Sequence, residues 1–205
     1  MALTYNAFGG NLIGLTNAAA ATAYYAVIPG HLQGYARVSG FNWTSGNTAN
    51  SFYGLRPLGR ANIAANATTS DDEVTLATDP SPSGNNLAAG DQCVIGPCTD
   101  GTYRRVQVNT SGWNSTSLVA TFTANLAANV NTSAKLYNFG VFGDTDPTTA
   151  SAHPRFITTA NASGTFTFGP AGLCGHAKGD PLLIYNPNAT NATDLNWLEY
   201  AFTTE

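Results

Sequence analysis

Charge is what this sequence has least of. Of its 205 residues only 10% are Asp, Glu, Lys or Arg, against about 25% in an ordinary soluble domain. Coiled coils and long solvated helices need many charged side chains, so neither is the main architecture. A charged disordered tail is excluded on the same ground. Lys and Arg number 8 against 12 Asp and Glu, a formal net charge of -4. A protein that tracks nucleic-acid phosphates carries a basic surface, so no nucleic-acid partner is expected.

Targeting signals are missing too. No charged side chain precedes Arg37, and no basic segment lies between Met1 and Leu12, so no signal peptide is expected. Residues 12–29 are nearly apolar. Thr16, Asn17 and Thr22 dilute the run, and Pro29-Gly30 ends it. A membrane span needs about 20 strongly apolar residues, so no membrane partner is expected. This segment reads instead as buried chain or as an arm lying on a neighbour.

In place of charge stand Asn, Thr, Ser and Gly, with 43% hydrophobic residues and a mean hydropathy of -0.09. Asn17 could cap a short helix over the following alanines. From Tyr24 the texture is that of β-structure. Tyr24-Tyr25-Ala26-Val27-Ile28 is aromatic and branched and stops at Pro29-Gly30. Residues 32–43 alternate, an Asn/Thr-rich stretch follows, and residues 51–58 resume, which reads as a hairpin with a long tip. The C-terminal end repeats the plan. Residues 181–185 and 195–202 are strands, and residues 186–194 (NPNATNATD) form the tip. Two such segments at opposite ends predict that the ends pack in one sheet system.

Between them lie short runs at 73–78, 92–95, 102–109, 117–123 and 134–142, with turns at Ala88-Ala89-Gly90-Asp91 and Asp100-Gly101. Further strands are expected at 155–159 and 165–168. The predicted fold is all-β. A small β-barrel or sandwich module, residues 61–145, is inserted between N- and C-terminal halves. Those halves, 1–60 and 146–205, form a second, sandwich-like β module with an N-terminal arm.

Residues that could carry chemistry are sparse. Cys93 and Cys98 flank Val-Ile-Gly-Pro, and Cys174 stands two residues before His176. A zinc site from these four has poor ligand spacing. A Cys93–Cys98 disulfide across the turn fits better in an oxidising environment. Buried free thiols are the default. Asp144 and Asp146 resemble a fragment of a calcium loop but lack its remaining ligands, so a side-chain-stabilised turn is the simpler reading. No Gly-x-Ser-x-Gly occurs. His31, His153 and His176 each lie near Gly or Pro in loop-like settings, and nothing in the sequence brings Asp180 and Glu199 to a glycosidase spacing. No catalytic residues, no metal site and no cofactor are expected. Eight Asn-x-Ser/Thr sequons follow from composition.

Three segments together carry a resemblance. They are residues 34–60 (GYARVSGFNWTSGNTANSFYGLRPLGR), the run Ala88-Ala89-Gly90-Asp91 with Asp100-Gly101-Thr102-Tyr103, and residues 179–189 (GDPLLIYNPNA). The chain resembles the head decoration, or cement, proteins of tailed bacteriophages. The resemblance implies a non-enzymatic virion protein on the outer capsid surface, often trimeric, that bridges neighbouring major capsid subunits. Its partners would be the major capsid protein and further copies of itself. The uncharged N-terminal stretch offers the contact residues: Tyr5, Phe8, Leu12, Ile13, Leu15, Tyr24 and Tyr25. The alternative is a glycan-binding or receptor-binding knob of a fibre. There Trp43, Trp113 and Trp197, each beside an Asn, would stack on sugar rings.

Overall fold

The computed structural model describes residues 5–8, 12–15, 24–30, 34–45, 51–81, 87–141, 155–157, 159–168, 172–186 and 193–203. All regular structure among them is β, and no helix is present. The chain divides into two compact units. One is built from Met1–Arg56 with Gly143–Glu205, and the other is Pro57–Phe142. The expected helix at Asn17 lies outside the described residues.

The first unit contains β1 (Tyr5–Phe8), β2 (Leu12–Leu15), β3 (Tyr24–Ile28), β4 (Tyr35–Ser45) and β5 (Ser51–Leu55) from the N-terminal half. The C-terminal half adds β12 (Arg155–Ile157), β13 (Ser163–Thr167), β14 (Leu173–Cys174), β15 (Leu182–Asn186) and β16 (Thr193–Thr203). They form two sheets. One runs β1-β2-β16-β4-β13, with β14 also on β4, and the other runs β12-β5-β15-β3. Val38 and Phe41 of the first sheet meet Ile28, Phe52, Leu182 and Ile184 of the second in one apolar core. The unit is therefore a β-sandwich.

Both expected hairpins are corrected by this topology. β4 does not pair with β5, nor β15 with β16. Instead β4 pairs with β16 and β5 with β15, all antiparallel. Each pair of neighbouring strands in sequence crosses from one sheet to the other. The reason is the apolar pattern. Residues on β4 and β5 face the same inter-sheet core from opposite sides, and a loop of five or more residues can span the gap of about 10 Å between packed sheets. The like design of the two ends reflects this strand-for-strand pairing between them.

The β3–β15–β5 sheet is buried on both faces. Ile28, Leu182, Ile184 and Phe52 face the sandwich core, while Val27, Leu183, Leu55 and Tyr53 on the other face are also nearly inaccessible. That is why residues 182–185 read as an unbroken apolar run rather than an alternation.

The second unit holds β6 (Gly59–Asn62), β7 (Glu73–Thr75), β8 (Asp91–Gly96), β9 (Arg104–Asn114), β10 (Val119–Phe122) and β11 (Lys135–Val141). They lie in the order β6-β11-β8-β9-β10-β7. The outer strands are joined just past their ends by a bridge between Ile63 and Leu76. The Ala64 amide donates to the Thr75 carbonyl at 2.8 Å and the Ala77 amide to the Asn62 carbonyl at 2.9 Å. The sheet is thus curled so that its two outer strands are pinned together at one end, giving a barrel-like form. Its interior is filled by side chains that include Ile63, Leu76, Ile95, Val108, Phe122 and Leu136. Leu136 is fully buried. Each such side chain stabilises the fold by about 1.5–3 kcal/mol.

Candidate interaction surface

The seven contact residues proposed from sequence fall on three strands. Tyr5 and Phe8 lie on β1, and Leu12, Ile13 and Leu15 on β2. Their backbones pair as Tyr5 with Leu15 and Phe8 with Leu12. β2 in turn pairs with β16, Leu15 opposite Leu195 and Ile13 opposite Leu198. Five of the seven are therefore brought together in one corner of the first sheet. Tyr24 and Tyr25 belong to β3, in the other sheet, opposite Asn186 and Tyr185. The main-chain groups between β1 and β2 and between β2 and β16 are satisfied within the chain. A contact with a neighbour through this segment would use side-chain faces or the outer edge of β1.

The tryptophans have separate settings. Trp43, on β4, is half-buried and packs on the sandwich core. Its ring lies over Gly164 of the paired strand β13. Trp113, on β9, packs on the barrel core opposite Ala120. Its indole Nε1 is buried without a hydrogen-bond partner. In both cases apolar packing occupies ring surface that a sugar would need. Trp197 lies on β16, and its side chain is outside the described residues.

Cys93, Cys98 and Cys174 are free thiols. The Cys93 Sγ faces the Asn138 Oδ1 at 3.9 Å and the Cys98 Sγ the Ile95 carbonyl at 3.8 Å. Burial pushes the Cys93 thiol well above its ordinary pKa, with the nearby Asp91 charge adding to the shift. Burial also raises Cys98. Neither has the lowered pKa of a nucleophile. Among the described residues no three His, Cys, Asp or Glu side chains are grouped to hold a metal ion. Nor do the described residues include a helix long and apolar enough to cross a membrane. His31, His153, Asp144 and Asp146 lie outside the described residues.

The buried polar groups are structural. Asp91, at the start of β8, accepts hydrogen bonds from the Ala88 amide (2.9 Å) and the Asn138 Nδ2 (3.1 Å). Asn138 on β11 accepts the Gly140 amide at 2.7 Å. Gln92 accepts from the Arg105 Nε at 2.9 Å. Asp180, weighed as a catalytic acid, is 1% exposed and accepts the Ala177 amide at 2.8 Å. Its carboxylate closes a turn. Glu199 is on β16, opposite Gly40.

One surface feature was missed in the sequence. Strand β13 (SGTFT) ends the sheet on the side of β4 away from β16. Ser163, Thr165 and Thr167 are exposed, while Gly164 and Phe166 are half-buried. The Ser45 amide donates to the Ala162 carbonyl and the Phe168 amide to the Ser39 carbonyl, both at 2.9 Å. That phase turns the main-chain groups of the even-numbered residues toward β4 and those of Ser163, Thr165 and Thr167 away from it. The strict alternation of small hydroxyl residues with Gly and Phe was the available signal.

No family model matches the sequence, and no curated protein matches it. A solved structure that aligns with 97% of this chain and 95% of its own is the VP16-VP17 complex, a complex of the two major capsid proteins of bacteriophage P23-77. The identity is 10% and the TM-score 0.21, and at that score the alignment carries neither fold nor function to this chain.

Proposed function

We propose that the chain is a structural protein of a tailed-phage virion. It binds the outer surface of the capsid and stabilises the head by bridging major capsid subunits. In this reading it is not an enzyme, needs no cofactor, and works as a homo-oligomer with three copies the expected number. The observation that best supports the reading is the neutral character of the exposed strands. Asn109, Thr110 and Ser111 on β9, like Ser163, Thr165 and Thr167 on β13, present hydroxyls and amides where surface strands ordinarily carry charge. Such surfaces dock by packing and main-chain pairing rather than by charge steering. The segments that resemble decoration proteins supply β4, β5 and β15 of the first unit and the turns on either side of β8 in the second.

The test is the rupture temperature of phage heads that lack the protein, with and without added purified chain, at low and high salt. Added protein should raise the rupture temperature, and high salt should reduce the gain only modestly, because screening acts chiefly on exposed charges. No stabilisation at saturating protein would overturn the reading.

A further inference from the structure

A free β edge is a template for another strand, and natural sheets blunt it with Lys, Pro, bulges or a covering loop. Strand β13 has none of the sequence devices: its five residues are uncharged and contain no Pro. Most other edges differ. The outer strands of the second unit carry Arg60 and Glu73, β12 carries Arg155, and on β3 both Val27 and Ile28 are buried. The edge at β1 is likewise uncharged, but it lacks the self-complementary alternation of β13. At β13 two kinds of unsatisfied surface coincide. The outward main-chain groups of Ser163, Thr165 and Thr167 meet no described strand. Beside them Phe166 and Trp43 pack on the core but remain half-exposed.

We propose that β13 pairs with β13 of a second copy of this chain, antiparallel about a two-fold axis through Thr165. The strand's sequence is complementary to itself in this register. Thr165 meets its own copy and Ser163 meets Thr167, each in a hydrogen-bonded pair, which gives about six main-chain bonds across the axis. All hydroxyls then share one face. The Thr165 hydroxyl donates to the Asn42 Oδ1 of β4 at 2.6 Å, so the hydroxyl pairs across the axis are those of Ser163 with Thr167, which are favourable. On the other face Gly164 sits opposite the second copy's Phe166. A glycine beside an aromatic ring leaves room for it, so that Phe166 can close over the exposed flank of the Trp43 ring. No charge is repeated across the axis. A charged strand would meet like charge at every self-pair, so neutrality selects a second copy over a charged partner. The contact is small, and in free solution it forms a weak, reversible pair. It does not rest on the virion reading and is tested without capsids.

The experiment uses the full chain with Cys174→Ser, so that no half-exposed thiol competes. Thr165→Cys is added and the protein is mildly oxidised. Hydrogen-bonded antiparallel partners have Cα atoms about 5.5 Å apart, within reach of a disulfide. A covalent dimer absent from the Cys174→Ser parent is expected. In parallel, sedimentation equilibrium compares the wild type with Thr165→Lys and Thr165→Glu. These are exposed substitutions whose folding is checked by circular dichroism. Each alone should self-associate at least tenfold more weakly, and an equimolar mixture should recover association. No specific cross-link in the Thr165→Cys protein, or Lys and Glu variants that associate like the wild type, would overturn the proposal.

Discussion

The Asp91 carboxylate accepts the Ala88 amide at 2.9 Å, and the Asp91 amide donates back to the Ala88 carbonyl at 3.1 Å. The same reciprocal pair joins Asp180 to Ala177, at 2.8 and 3.2 Å. Both turns read Ala-x-Gly-Asp, both place the Gly at positive φ (83° and 86°), and both lead into a buried strand. The glycine is needed because other residues rarely adopt that conformation. One local solution therefore opens β8 in the barrel and precedes β15 in the sandwich. In each it gives a buried carboxylate a main-chain donor, which offsets part of the cost of burying it.

Asn138 ties the first of these turns to the barrel wall. It donates to Asp91, accepts the Gly140 amide and faces the Cys93 thiol. Asn138→Ala takes the partner from the Gly140 amide and the Cys93 thiol and leaves the buried Asp91 carboxylate with the Ala88 amide alone. Each lost partner of a buried group costs about 1–3 kcal/mol. We expect a loss of about 2–4 kcal/mol in urea unfolding. A loss below about 1 kcal/mol would mean that the network is not a structural tie.

Asp91 and Asp100 should influence stability with opposite signs as pH changes. Burial raises the Asp91 pKa above 3.8, although the Ala88 and Asn138 hydrogen bonds oppose it. The folded chain then holds a proton more readily than the unfolded chain. Its contribution is fully present below about pH 3.8 and is lost as pH rises through the raised folded value. Asp91→Asn, whose amide oxygen can keep both acceptor roles, should flatten the stability profile over that window. Asp100 is the reverse case. The Thr102 hydroxyl and amide hold its carboxyl below 3.8, with Arg104 assisting. Its contribution is present above about pH 3.8 and is lost as pH falls through the lowered folded value. Asp100→Ala should therefore change stability least at low pH. Profiles of both variants identical in shape to the wild type would refute these assignments.

Strand texture was legible where side chains alternate, and the partner strand was not. The residues of β9 and β10 announced themselves by period two. On β8 and β15 burial on both faces erased the alternation, and the Asp turn in front of each was the better signal. The pairing of β4 with β16 rather than β5 could not be read, because a loop of Asn and Thr serves a hairpin and a sheet-to-sheet crossover equally well. β1 and β2 were hidden by their lack of charge, which suggested an arm. The edge at β13 was overlooked because exposed Thr and Ser look like ordinary solvated surface.

The thiols report the two units separately. Cys93 and Cys98 lie in the barrel, the first fully buried, and Cys174 is half-buried on β14. In native protein prepared without reductant, a thiol reagent should modify Cys174 first. All three should react after unfolding. Recovery of only one thiol from unfolded, unreduced protein would instead show that Cys93 and Cys98 had paired.

Trp43 and Gly164 are fitted to each other across β4 and β13. A β-carbon at Gly164 would stand 2.7 Å from the Trp43 Cζ2 and 2.9 Å from Cε2. Real carbon atoms do not approach so closely without strain, and the indole rests on a packed core with little room to retreat. Gly164→Ala should destabilise the protein by about 1–3 kcal/mol. It should also shift tryptophan fluorescence as the ring is pushed toward solvent. Trp43→Phe leaves a smaller ring, so combining it with Gly164→Ala should cost less than the sum of the two single changes, as expected for side chains in direct contact. Strict additivity would show that the ring does not lie over Gly164. It would also remove the apolar flank that the β13 pairing is built to cover.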